Sequence, residues 1–211
     1  MKYKTIIFDF DGTLADSLSV IINVVKQLAM GFKQEHLLKV PFKELRSKTI
    51  KQLIKEFQIP FYRLPFLINR GRRLMTNEIA EVKLFTDISL LIKQLKKKHF
   101  KLGILSSNSK KNIIKVLKKN NLDKEFEFIH SEMNIFGKDK ALMNIFKKHN
   151  LRKEEVLYVG DEVRDIEACK KIDVKIVAVT WGFNTKETLK IYQPDYLIDR
   201  PKDLLNLVKS S

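Results

Sequence analysis

The sequence predicts an α/β fold: a doubly wound parallel sheet with an all-helical block inserted after its first strand. Two observations predict it. Short aliphatic or β-branched runs alternate with longer amphipathic ones over most of the chain, the pattern of a parallel sheet covered by helices on both faces. Residues 16 to about 85 break that alternation, with no convincing strand and three of the five prolines, Pro41, Pro60 and Pro65.

Taken in order, the strands are expected at Thr5–Phe8, Leu102–Leu105, Phe126–His130, Val156–Val159, Lys175–Val179 and Tyr196–Ile198. Helical spacing of apolar residues falls between them at Ser89–Lys98, Lys110–Asn120, Asp139–His149, Arg164–Lys171 and Asn184–Ile191, and again near Lys202–Val208. Asn184 and Glu187 stand at capping-box spacing before the fifth of these. Inside the inserted block the helical patterns are Leu18–Met30, Phe42–Phe57 and Leu64–Ile79. The expected organisation is therefore a core of residues 1–15 and 86–211, with residues 16–85 as a helical cap.

Composition narrows the function classes. The chain has 211 residues, 44% of them hydrophobic, enough for a buried core, which excludes disorder as a description of the whole. A single cysteine, Cys169, excludes an internal disulfide framework and a zinc site built on several thiolates. No apolar run reaches the roughly 20 residues of a membrane span, so no membrane association and a cytoplasmic location are expected. The net charge of +16 raises the question of a nucleic-acid partner. However, 33 of the 41 basic residues are lysine, scattered as on solvated helix faces. Bidentate recognition of phosphates and guanine edges favours arginine. No nucleic-acid partner is expected. Residues 16–85 hold 13 Lys and Arg against 6 Asp and Glu, a surplus able to steer an anionic ligand toward a site beneath the block.

Four short motifs carry chemistry. In Ile6-Ile7-Phe8-Asp9-Phe10-Asp11-Gly12-Thr13, alternation along a strand puts Asp9 and Asp11 on one side and Phe8 and Phe10 on the other, toward apolar packing. Two carboxylates this close stay ionised only beside a cation, or else one of them takes up a proton. They stand at the carboxyl end of the strand, where open α/β sheets bind ligands. A second strand runs into Ser106-Ser107-Asn108-Ser109, whose hydroxyls and free amides at a helix start can hold an anionic oxygen or simply cap the helix. Phe136-Gly137-Lys138-Asp139 offers a lysine where a helix begins. In Val159-Gly160-Asp161-Glu162-Val163-Arg164-Asp165, Asp161 ends a buried strand and Asp165 opens the next helix; hard oxygen ligands of this kind suit Mg²⁺.

Together, FDFDGT, a strand ending in Ser-Asn, a lysine, and VGDEVRD resemble the four-motif pattern of the haloacid dehalogenase (HAD) superfamily, and the helical insertion resembles its helical-cap subgroup. The Asp16-Ser17 pair after the first motif is similar to phosphoglycolate phosphatase-like members. The resemblance implies a Rossmann-like core and a Mg²⁺-dependent phosphatase acting on small phosphorylated metabolites of phosphoglycolate or sugar-phosphate type. It implies that Asp9 attacks phosphorus to form an aspartyl phosphate, and that Asp11 protonates the leaving oxygen and then activates water. It further implies that Asp9, the Asp11 carbonyl and Asp161 hold Mg²⁺ with Asp165 in support, while Ser107, the Asn108 amide and Lys138 hold the phosphoryl oxygens. Ser107 is preferred to Ser106 because it directly precedes Asn108. Lys138 is preferred to Lys140 because it follows Gly137, although members of the family usually carry Lys-Pro where this chain has Lys138-Asp139.

A phosphomutase of the β-phosphoglucomutase type shares these motifs and is the nearest alternative; a catalytically idle binding protein on the same fold is the alternative of another class. A dehalogenase is not expected, because that branch resembles this chain at the nucleophile but lacks the second acid, present here as Asp11. In the cap, Arg46 and Lys48 are candidates for a second anionic group of the substrate, against a reading as surface charge. Arg70, Arg72 and Arg73 are either a solvated face or an anion site, and Trp181 and Phe183 either line the entrance or pack beneath the cap. Cys169 reads as a small core residue. The chain is expected to act as a monomer or homodimer.

Overall fold

The computed structural model describes residues 2–31, 40–132, 134 and 136–209. Six strands form one parallel sheet: β1 (Thr5–Phe8), β4 (Lys101–Ser106), β5 (Phe128–Ser131), β6 (Val156–Gly160), β7 (Lys175–Val179) and β8 (Tyr196–Ile198), in the order β5-β4-β1-β6-β7-β8. The chain winds outward from β1 through β4 to β5, then crosses back to β6 and winds the other way. The reversal puts a crevice at the carboxyl ends of β1 and β6.

Alternation along the strands sends side chains to two cores. Ile6, Phe8, Leu102, Ile104, Leu157 and Val159 join one core with α5 (Ile88–Lys97), α6 (Lys110–Lys119) and α10 (Pro201–Lys209). Ile7, Leu105, Tyr158, Ile176 and Ala178 join the other with α7 (Lys138–His149), α8 (Val163–Lys171) and α9 (Lys186–Ile191). All four residues of β1 are buried, as expected for a central strand covered on both faces. Phe8 and Phe10 both enter the first core, as the first motif requires, and Cys169 is fully buried in the second.

Four elements depart from the sequence reading. The strand expected from Phe126 begins at Phe128; Phe126 instead packs edge-on against Phe8, their ring centroids 6.5 Å apart. The ladder then pairs Phe128 with Gly103, where a side chain would lie 2.1 Å from the Phe128 ring. The helix expected over Phe42–Phe57 is two: α2 (Phe42–Arg46) and α3 (Ile50–Glu56), broken because Thr49 forms a reciprocal capping box with Gln52. The cap of α9 is Thr185, whose side chain accepts from the Thr188 amide, and not Asn184. Two short strands, β2 (Ala15–Asp16) and β3 (Lys83–Leu84), pair antiparallel at the two ends of the stretch read as free of strands. Between them run α1 (Leu18–Gly31), α2, α3 and α4 (Leu64–Glu78), with α1 packed along α4.

Candidate active site

The crevice gathers the first and fourth motifs. The Asp9 amide donates to the Val159 carbonyl at 2.8 Å, continuing the β1–β6 ladder by one residue and setting Asp9 beside the end of β6. Past Asp9 the chain reverses at Gly12, with φ +76°, and the amides of Leu14 and Ala15 both donate to the Phe10 carbonyl. A side chain at Gly12 would also lie 2.2 Å from the Asp161 carboxylate, so glycine is required there twice over.

Asp9, Asp161 and Asp165 are each at most 1% exposed, and each offers a carboxylate oxygen within 4.8 Å of the others. Asp161 accepts from the Thr13 hydroxyl and from the Phe183 amide, both at 2.7 Å. Lys138, 3% exposed, bridges two of the acids: its Nζ donates to Asp9 at 2.5 Å and to Asp165. Asp165 also accepts from the Glu162 amide, the capping contact that opens α8.

Burial and mutual repulsion shift these groups. Burial pushes Asp9 up to about 6 against the pull of Lys138. Burial, then Glu162, Asp9 and Asp165, drive Asp161 well above the usual carboxylate range. Asp11 is raised by burial, with the hydrogen bond from Asn108 opposing the rise. Burial works against the charge on Lys138, but Asp165 and Asp9 outweigh it and hold the ammonium at about 12.

The acids outnumber the cations on this floor: Asp9, Asp11, Asp161, Glu162 and Asp165 surround Lys138 and Arg164. Buried negative charge in excess calls for a cation or for protons. Three clustered carboxylate oxygens are the hard donors that Mg²⁺ takes, so the residues present fit such an ion.

The second motif takes a definite form. The Ser106 hydroxyl is turned into the chain and accepts from the Asn108 amide at 3.0 Å, so this amide, expected to hold phosphoryl oxygen, is already engaged. The Asn108 side chain donates to Asp11 at 3.2 Å and accepts from Ser109 and Asn112. Ser107 lines a cavity of about 310 Å³ together with Asp11, Gly12, Asn108 and Arg164.

Arg46 is placed elsewhere than expected. Its Nε and Nη2 donate to the carbonyls of Phe183 and Gly182, both at 2.8 Å, so these donors dock α2 onto the core and do not face a substrate anion. Asn184 completes the contact, donating to the carbonyls of Arg46 and Lys48 and accepting from the Val163 amide. Lys48 is held by Glu44 and Glu56. Of the arginine cluster, Arg72 reaches the core, donating to the Ser107 carbonyl at 2.6 Å and the Glu132 carbonyl at 3.1 Å, while Arg70 and Arg73 are exposed. Phe183 lines the cavity; Trp181 donates to the Thr13 carbonyl and packs against Phe85.

Two participants were not singled out from the sequence. Thr13 holds Asp161, and its place directly after Asp-Gly in the first motif was the available signal. Arg164 donates to Glu162 at 2.6 Å and lies 3.4 Å from the Ser107 hydroxyl. Its position directly before Asp165 marked it as part of the fourth motif without marking its direction.

Crossover topology, a helical block after the first strand and buried acids at two strand ends define a hydrolase of one class. The chain belongs to the haloacid dehalogenase-like hydrolases, whose family model matches residues 6–179. Among curated relatives, it is 33% identical over 205 residues to the phosphoglycolate phosphatase of Synechococcus elongatus, covering 97% of each chain. It is also 27% identical over 221 residues to pyrophosphatase PpaX of Bacillus mycoides, covering 99% of this chain and 98% of the relative. Among solved structures, a predicted phosphatase from Clostridium acetobutylicum superposes with a TM-score of 0.84 at 22% identity, over the whole of both chains. A haloacid dehalogenase-like hydrolase from Bacteroides fragilis gives 0.80 at 24%, covering 96% of this chain and all of the other. At these identities the structural matches show the shared fold.

Proposed function

We propose that this protein is a Mg²⁺-dependent phosphatase that hydrolyses small phosphorylated metabolites, with Asp9 as nucleophile. The observation that carries the reading is the buried trio Asp9, Asp161 and Asp165 with Lys138 between two of its members. Asp9, the Asp11 carbonyl and Asp161, with Asp165 in support, would hold the ion, which when bound offsets the charge of the phosphoryl group. A likeness to a phosphoglycolate phosphatase over nearly the whole chain supports phosphoglycolate as the first substrate to examine. Residues 16–85 are taken as the cap that covers the site and excludes water from it.

In this reading Asp9 attacks phosphorus and Lys138 screens the approach of one anion to another. Asp11, raised by burial and oriented by Asn108, gives its proton to the leaving oxygen and then takes one from the water that hydrolyses the aspartyl phosphate. Ser107, whose side chain lines the cavity beside Asp11, donates to a phosphoryl oxygen.

The test is phosphate release from phosphoglycolate with and without Mg²⁺, in the native chain and in Asp9→Asn. The native chain should be active with the metal, and the variant should lose activity by roughly 10³-fold or more while folding normally. A variant that keeps most of the activity would refute Asp9 as nucleophile.

A further inference from the structure

The cavity beside the catalytic acids has an uneven lining. Its upper wall is apolar, with Leu18, Ile21, Ile68 and Met75. Asp11 opens into it but Asp9 and Lys138 do not, so it lies on the leaving-group side of the reacting centre. Two cations line it, Arg72 and Arg164. Arg72 is largely committed to the carbonyls of Ser107 and Glu132.

Arg164 is not. Its Nη2 donates to Glu162, but its Nε and Nη1 are buried and have no acceptor among the described residues. Unmatched donors on a buried charged group are costly to keep. Glu162 fixes the guanidinium from one side, and its Nη2 reaches the cavity lining at the Ser107 hydroxyl, 3.4 Å away.

We propose that Arg164 receives a negatively charged group on the leaving side of the substrate, so that the site selects phosphate esters or anhydrides whose leaving group is itself an anion. This rests on the phosphatase reading and adds to it the chemistry of the leaving group. A carboxylate or second phosphate brings the opposite charge to the guanidinium. A neutral hydroxyl can meet one donor but brings no opposite charge to the guanidinium. Without the guanidinium, Glu162, which lines the same cavity, would repel an anionic leaving group. Arg164 is thus a specificity residue of this cavity, which Lys138 does not line.

The test uses two substrates of equal length: phosphoglycolate, which ends in a carboxylate, and 2-hydroxyethyl phosphate, which ends in a neutral alcohol. With Mg²⁺ the native chain should favour phosphoglycolate in kcat/KM by roughly 10–100-fold. Arg164→Gln should collapse that preference toward unity, mainly by raising KM for phosphoglycolate. Arg164→Lys, which keeps the charge without the fork, should retain part of it, and it decides the question if the glutamine variant does not fold. A native chain that turns over both esters equally would overturn the assignment, as would variants that lower both equally. A native chain inactive on both esters and on an aryl phosphate would instead refute the phosphatase reading, and the assignment with it.

Discussion

Asp9, Asp161 and Asp165 on the catalytic floor are at most 1% exposed and Lys138 is 3% exposed, whereas α2 buries none of its residues and Phe61 and Tyr62, before α4, stand 73% and 77% open. The floor is carried by central strands fixed on both faces by packed cores. The helical block meets the core through apolar packing, with Val20, Val24, Met75 and Ile79 in one buried cluster with Phe8 and Phe10. It also meets the core through side-chain to main-chain hydrogen bonds that can be exchanged for water: Arg46 on residues 182 and 183, Asn184 on residues 46 and 48, and Arg72 on residues 107 and 132. Groups that must hold reacting atoms within fractions of an ångström are placed where movement is costly. Under the proposed function, the side that would admit and release a substrate is the one where movement is cheaper.

The sharpest way to break that contrast is to open a gap in the floor. Lys138→Met removes the ammonium between Asp9 and Asp165 and leaves two buried carboxylates face to face, a loss of roughly 3–5 kcal/mol when a buried pair is broken. Thermal melts in EDTA should show a large drop in Tm, added Mg²⁺ should restore part of it, and hydrolysis should be nearly abolished. Unchanged melting would mean that Lys138 does not hold the two acids in the folded protein.

The same operation on the helical block should cost less. Arg46→Ala removes two charge-assisted hydrogen bonds to the 182–183 loop, worth roughly 1.5–3 kcal/mol each at most and less where water takes their place. We expect kcat/KM for phosphoglycolate to fall by about 10-fold, with Tm changed far less than by Lys138→Met. Equal losses of Tm in the two variants would erase the distinction between floor and helical block.

A smaller effect is expected at the far edge of the sheet. His130 on β5 and His149 on α7 face each other with their Nε2 atoms 3.1 Å apart, beside the Phe128 ring. Burial, then neighbouring positive charge, lowers both imidazoles below their ordinary 6.5. The unfolded chain therefore binds more protons than the folded one as pH falls through 6.5. The stability contributed by the pair is present above pH 6.5 and is lost as pH falls through the lower folded values. Tm should decline over that range, and His149→Gln should flatten the decline; a decline of the same slope in the variant would place its origin in other groups.

How much was legible in the sequence follows the same division. β1, β6 and the acids at their ends could be read because a central parallel strand is a continuous apolar run and the residues after it can only stand at its carboxyl end. The two-residue strands β2 and β3 could not, since their pairing is made by the chain crossing between block and core and not by local propensity. The break after Arg46 depended on Thr49 and Gln52 satisfying each other's backbone. Arg46 itself was read as a substrate contact because a sequence shows a charge and not the carbonyls it will find. Arg164 was visible as a letter in the fourth motif, but its unmatched donors exist only once Glu162 has claimed one side of the fork.

The account's central claim is that Asp9 carries the phosphoryl group in the course of hydrolysis. The most direct measurement mixes the protein with Mg²⁺ and phosphoglycolate, stops turnover within milliseconds in acid, and reduces the quenched protein with borohydride before peptide mass spectrometry. The account predicts that residue 9 is recovered as homoserine, the reduction product of an aspartyl phosphate, in native protein and not in Asp9→Asn. Steady hydrolysis with residue 9 recovered only as aspartate, or with the label at another position, would contradict it.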